Sequence, residues 1–361
     1  MQIQRLYQSV LLPVLMCLGL SLPSYADETP LKVKVVIVSM FEIGEDEGDT
    51  PGEFQLWKTR QHLTTRYAQP HAFHDIYANT ETGVVGIVTG MGIARASAAI
   101  MALGLDERFD LTDTYWLVAG IAGIDPNDST IGSAVWTDYV VDGDLAHHID
   151  AREIPEDWNT GYFPLFTDSP NNPPPLTDIS QSPNGEVYAL NHSLTQWAYE
   201  HTKDTELFNT PAMDSLRAKY KHFPNARAKP SVVKGAHLSA STFWHGKLLN
   251  QWANEWVDHW TNSQGNFVTS GMEDSATLQS LTYLANAGRV NKERVLILRT
   301  ASNFTMQPHS LNAADNLRLE RSQGYAAMNA SIEAAYKVGS QVVSYLIEHW
   351  EVVKNKPPSA H

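Results

Sequence analysis

The sequence predicts an α/β fold with helices on both faces of a central sheet. Short runs rich in β-branched residues alternate with amphipathic runs of helix length, the pattern of strands packed between helices. Several strand-like runs lead directly into glycine, serine or asparagine. In such sheets the crevice beyond the strands' carboxyl ends is where ligands bind. No internal repeat divides the 361 residues, so one domain over residues 27–361, with a substantial core, accommodates the pattern.

Residues 10–20 are almost wholly apolar, with Arg5 before them and Ser24-Tyr25-Ala26 after them. This is the form of a secretory signal peptide over 1–26, too short to span a bilayer. The expected location is periplasmic or extracellular. The single cysteine, Cys17, lies inside this segment, so the mature chain offers no disulfide, no thiol nucleophile and no cysteine metal site. No later stretch reaches about 18 consecutive apolar residues, and no membrane span is expected there. A formal charge of -14 without a basic stripe argues against nucleic acid and anionic lipid as partners.

Residues 32–40 read as a buried strand because β-branched side chains dominate them. The following loop carries Glu42, Glu45, Asp46, Glu47, Asp49 and Glu53. It is either a solvated surface or, given its place after the first strand, a wall of the crevice. Residues 54–67 read as a helix. Residues 84–88 form the next strand, and Thr89-Gly90-Met91-Gly92 leads into an Ala-rich helix over 93–105. Gly90 and Gly92 let the backbone approach a small ligand, with helix N–H groups aimed at it. The third glycine of a dinucleotide fingerprint is missing, so no NAD site is expected.

A third strand over 115–118 ends in small residues over 119–126, Gly120 among them, and a fourth covers 133–141. His147 and His148 would point apart on a strand, so no metal site is expected. Residues 150–185, rich in Pro, Asn, Asp and Ser, read as a lid or surface excursion. Helices are expected over 186–208, 211–220 and 247–260, a strand over 232–238, and a long helix over 324–350. Trp244, Trp252, Trp256 and Trp260 read first as packing.

The stretch 270–303 organises the rest. Glu273 heads a helix that runs to Ala287, and a strand over 294–298 closes with Arg299, Ser302 and Asn303. An ionised carboxylate has two acceptor oxygens, which suits a pair of adjacent hydroxyls. An amide offers a donor and an acceptor, which suits the edge of a heterocyclic base.

These segments, in this order, resemble the nucleoside phosphorylase superfamily. Within it, residues 32–350 most resemble the purine nucleoside permease family. Thr89-Gly90-Met91-Gly92 resembles the superfamily's Thr-Gly-Met-Gly turn, and 119–126 its glycine-rich turn. Residues 239–246 resemble the segment whose aromatic side chain stacks on the base. Met272-Glu273 resembles the pair that holds the ribose, and 299–303 the Arg-x-x-Ser-Asp segment at the base.

The resemblance implies a nucleoside phosphorylase-like three-layer α/β/α fold with a central mixed sheet. It implies that Glu273 holds the ribose hydroxyls with Met272 on the sugar, and that Phe243 or Trp244 stacks on a purine. Asn303 would pair with the base edge, supported by Ser302 and Arg299. The chemistry implied is cleavage of the N-glycosidic bond.

Two departures bear on that chemistry. Asn303 stands where relatives have aspartate, and Leu117 where phosphorolytic members have arginine. Leu117 offers phosphate no charge and the acidic loop repels it. Water is therefore the favoured nucleophile, with Glu42, Glu45 or Glu47 as general base. Phosphate as co-substrate would need another cation, Arg95, Lys58 or Arg60. No other cofactor is expected. The competing class is a non-catalytic, exported nucleoside-binding component serving a separate membrane transporter. A homo-oligomer is compatible with both.

Overall fold

A computed structural model describes residues 29–171, 185–322 and 325–360. The signal peptide expected over 1–26 and most of the second half of the 150–185 excursion lie outside the described residues.

The chain begins with β1 (Leu31–Lys32), β2 (Val35–Ser39), α1 (Gln55–Arg60), β3 (Thr65–Tyr67), β4 (Ile76–Asn79) and β5 (Val84–Val88). Next come α2 (Ile93–Gly104), β6 (Phe109–Asp110), β7 (Tyr115–Ile124), β8 (Ala134–Asp142), β9 (Ala146–His148) and β10 (Tyr162–Pro164). After these come β11 (Val187–Ala189), α3 (His192–Thr202), α4 (Pro211–Arg217), β12 (Val232–Ser239), α5 (Lys247–Trp260) and β13 (Phe267–Gly271). The chain ends with α6 (Asp274–Asn286), β14 (Val295–Phe304), α7 (Ala313–Ser322), α8 (Met328–Glu348) and α9 (Trp350–Val353).

Among the described residues the central sheet runs β11-β8-β12-β13-β7-β2-β5-β4-β3, with β14 paired to both β7 and β8. It is mixed. β2 is parallel to β5 and β7, and β14 is parallel to β7. β13 runs antiparallel to β7, and β8 antiparallel to β14.

Alternation along the strands builds the three layers. Val35, Ile37, Leu117, Ala119, Leu296 and Leu298 pack on one face with Trp57 of α1, Trp197 of α3 and Val338 of α8. Their neighbours Val36, Val38, Trp116, Val118, Val295 and Ile297 pack on the other face with Leu103 of α2 and Leu281 of α6. Side chains on a strand alternate between faces, so a strand buried on both sides is apolar throughout. The three-layer α/β/α fold with a mixed sheet is the one expected.

Several boundaries differ from expectation, each for a local reason. The helix expected over 54–67 stops at Arg60, because His62 takes a positive φ of 53° and Thr65 turns back into a strand. The helix expected over 186–208 is a strand and then α3, which Asn191 caps by accepting from Leu194 N–H. The small residues over 119–124 continue β7 instead of forming a turn. Arg299 to Asn303 likewise lie within β14, whose register shifts between Ala301 and Asn303. In β9, His148 stacks on Tyr162 at 4.2 Å.

Candidate functional site

At the carboxyl ends of β2, β7 and β14 lies a cavity of about 290 Å³. Its inner wall carries Glu53, Glu273, Arg299, Ser302 and Asn303; Met40, Met91, Phe243, Met272, Tyr325 and Met328 supply apolar walls.

Arg299 is the centre of the inner wall and is almost wholly buried. Its Nε donates to Asp274 Oδ1 at 3.1 Å, and its Nη2 donates to Asp274 Oδ2 and, at 3.1 Å, to Glu273 Oε2. Its Nη1 donates to the Ile121 carbonyl at 3.0 Å. This is the fork geometry in which guanidinium and carboxylate bind most strongly. Burial opposes the charge on Asp274, yet Arg299 and then His237 hold that carboxyl well below the usual range. Burial likewise opposes the charge on Arg299, but Asp274 and Glu273 raise its pKa above the ordinary value. His237 Nε2 lies 3.0 Å from Asp274 Oδ2, and its Nδ1 lies 2.9 Å from Thr269 Oγ1.

Glu273 precedes α6 and is buried to 4% exposure. Its Oε1 accepts from Gly92 N–H at 3.0 Å, and its Oε2 accepts from Met272 N–H at 3.3 Å as well as from Arg299. A carboxylate has about four acceptor sites, so capacity remains toward the cavity. The glycine turn after β5 serves this carboxylate: Gly92 supplies the N–H, and Met91 reaches the cavity. Gly90 and Gly92 do not line the cavity. Their φ values of 81° and 92° shape the turn, because such backbone favours glycine.

From the loop after β2, the carboxylate facing the cavity is that of Glu53 and not Glu42 or Glu45. Glu53 Oε2 accepts from Met40 N–H at 2.7 Å and Oε1 from Ile121 N–H at 2.7 Å. Burial pushes its pKa up to about 8, against the opposing pull of Arg299. Glu42 instead holds the loop together, accepting from Ile43, Gly52, Phe54 and Gln55 N–H groups. Glu45 is exposed, and Glu47 pairs with Lys58 at 3.7 Å. Loop acids look alike in sequence, and no local signal separates Glu53 from the others; the Met40 and Ile121 N–H groups that hold it are brought together by the fold.

Gly120 does not line the cavity but is shaped by it. A Cβ there would lie 1.9 Å from Met40 Cε, 2.7 Å from Glu53 Oε1 and 3.0 Å from Arg299 Nη1. The missing side chain of Gly120 leaves the space that Met40, Glu53 and Arg299 fill.

Ser302 Oγ donates to Asn303 Oδ1 at 2.9 Å, and Asn303 Nδ2 donates to the Phe304 carbonyl at 3.2 Å. Of the two aromatic candidates, Phe243 lines the cavity mouth and is 52% exposed. Trp244 turns away and packs against Trp252 and Phe267.

The cations weighed for phosphate lie elsewhere. Arg95 is exposed and donates to the Met91 carbonyl. Lys58 sits by Asp46 and Glu47, and Arg60 pairs with Glu333. Leu117 is in the core and does not face the cavity. Among the described residues the cation lining the cavity is Arg299, already bound by two carboxylates.

Fold and site together define a class: an α/β protein whose strand ends hold an acidic, amide-bearing cavity with an apolar rim. The family model described as "Purine nucleoside permease (NUP)" matches residues 32–357, and the chain belongs to that family, as its motifs led us to expect. It is 30% identical to a purine nucleoside permease of Candida albicans, over 89% of this chain and 76% of that protein. It is 28% identical to a probable purine nucleoside permease of Schizosaccharomyces pombe, over 88% and 90%. A 5′-methylthioadenosine/S-adenosylhomocysteine nucleosidase structure from Neisseria meningitidis aligns at 15% identity and TM-score 0.49, over 88% of this chain and 100% of that one. A futalosine hydrolase structure from Helicobacter pylori aligns at 13% identity and TM-score 0.49, over 87% and 98%. Among the described residues no helix is long and apolar enough to cross a membrane.

Proposed function

We propose that this protein binds a purine nucleoside and cleaves its N-glycosidic bond with water as the nucleophile. The observation that carries this reading is that the cavity wall holds both a buried carboxyl, Glu53, and an Arg299 already paired with two carboxylates. Phosphate prefers an unpaired guanidinium fork, and here that fork is filled. Glu273 takes the sugar hydroxyls, Phe243 stacks on the base, and Asn303 meets the base edge. The C1′–N bond breaks through an oxocarbenium-like state as water adds to C1′. Glu53 receives the proton that water loses and releases it to solvent. The purine takes one proton from solvent at its ring nitrogen and leaves as the neutral base, so the net change is addition of one water across the C1′–N bond. A carboxylate near the developing positive charge lowers the barrier.

The test is release of free base from inosine, guanosine and adenosine as phosphate is raised from zero. Release at the same rate without phosphate is expected. A rate that vanishes without phosphate and saturates with it would show phosphorolysis. Glu273→Ala should remove contacts worth about 1.5–3 kcal/mol and weaken nucleoside binding roughly tenfold to 150-fold. Calorimetry with the free base should show little change. Equal losses for base and nucleoside would remove Glu273 from the sugar.

One observation favours a second reading. Asn303 carries no ionisable proton for the leaving base, so a chain that binds without cleaving is a coherent alternative. It would act after export as a binding component serving a separate membrane transporter. Tight nucleoside binding with no base release under either condition would select it.

A further inference from the structure

The cleavage reading leaves two wholly buried groups behind the cavity wall without a role: Asp274 and His237. Neither lines the cavity. A buried ion pair is weak grounds for stability, because apolar residues of similar volume often do as well or better. Their placement is more telling than their burial.

We propose that Asp274 and His237 are positioning residues for the glycosidic cleavage: anchored on Thr269, they fix the guanidinium of Arg299 and, through it, the two carboxylates facing the cavity. This rests on the hydrolytic reading above. A guanidinium is planar, with five N–H donors in fixed directions. Once Asp274 takes the edge formed by Nε and Nη2, the remaining donors can point only one way. Nη2 then meets Glu273 at 3.1 Å and Nη1 meets the Ile121 carbonyl at 3.0 Å. Ile121 in turn gives its N–H to Glu53.

His237 completes the chain, with Nε2 3.0 Å from Asp274 and Nδ1 2.9 Å from Thr269. The wall is thinned to accommodate it. A Cβ on Gly271 would come 2.9 Å from His237 Cε1 and 3.3 Å from Arg299 Cζ. Charge follows the same path. The charged groups facing Glu53 are Arg299, which favours its ionised form, and Glu273, which disfavours it. Burial raises the pKa of the Glu53 carboxyl and Arg299 opposes it. Asp274 offsets part of the Arg299 charge and fills its fork, closing that edge to an outside anion.

Asp274→Asn keeps the shape and removes the charge. Arg299 then acts on Glu53 uncompensated. The carboxyl midpoint of Glu53, followed by infrared titration against Glu53→Gln, is expected to fall by about one pH unit or more. This readout needs no turnover, so it is independent of the hydrolytic reading. Where base is released, kcat should drop on the order of 10²-fold, as for a misplaced catalytic group. The lower limb of the pH–rate profile should move to lower pH.

If Asp274→Asn does not fold, the histidine carries the test. His237→Leu should lose kcat and nucleoside affinity. His237→Gln, which keeps a donor toward Asp274, should restore both. An unmoved Glu53 midpoint in a folded Asp274→Asn, or equal losses for the two His237 variants, would overturn the proposal.

Discussion

Replacing Arg299 with leucine is expected to lower stability by about 3–5 kcal/mol, the cost of breaking a buried ion pair by removing one partner. Asp274 and Glu273 would remain in the interior, almost without exposure, with their shared cation gone. The Ile121 carbonyl would also lose a donor. Urea unfolding should show the loss as a lower midpoint with an unchanged slope. The deficit should also depend on pH. In the native protein the Asp274 carboxyl is held below its ordinary value, so its stabilisation is present above about pH 4 and lost as pH falls further. In the variant that carboxyl takes up a proton more readily. The gap between the two proteins should therefore narrow in acid. A deficit under about 1 kcal/mol at pH 7, typical of a surface pair, would mean that the network does not hold the wall together.

Glu53→Gln is expected to leave nucleoside binding largely intact and to cut base release roughly 10²–10⁴-fold, the usual span for loss of a general base. The native rate should climb with pH toward a midpoint of about 8, because the base must be ionised to act. Stability should move the opposite way. The folded-state pKa is raised to about 8 from the ordinary 4.5, so the folded protein holds a proton that the unfolded chain releases between those values. The contribution is full below about pH 4.5 and is lost as pH rises through 8. One pH unit corresponds to about 1.4 kcal/mol, so the fall across this window is a few kcal/mol. The neutral, isosteric glutamine should flatten it, and the variant should be the more stable protein above pH 8. Parallel stability curves for the two proteins would show that Glu53 is ionised throughout.

The layered fold was legible because strands buried on both faces are continuous apolar runs, as in Val35–Ser39 and Val84–Val88. The helix over Lys247–Trp260 was legible for its amphipathic period. Glu273 and Asn303 stand out by their place at a helix head and beyond a strand, and Phe243 or Trp244 only by the family resemblance; Glu273, Asn303 and Phe243 line the cavity. What stayed hidden depends on distant pairing. Glu53 becomes distinct from the other acids of its loop only when β7 brings Ile121 N–H to it. Asp274 looks like a helix-cap residue until Arg299, 25 residues on, meets it from β14. Gly120 reads as a turn residue because composition cannot show that its missing side chain makes room for Met40 and two charged groups. His237 sits in an ordinary strand run, and no local pattern marks it.

The cavity joins two materials with different tolerance for change. Its floor is buried and tied to β7 and β14, strands that also build the protein's core, so any alteration there is also an alteration of the fold. Its rim is made of single side chains on connections, Met91, Phe243 and Tyr325, the first two more than half exposed. Substitutions at the rim carry little folding cost. Variation in what the cavity admits should therefore gather at those three positions, in nature and in a library, while the ionic floor stays as it is. A designer wanting a different guest would keep the floor and rewrite the door.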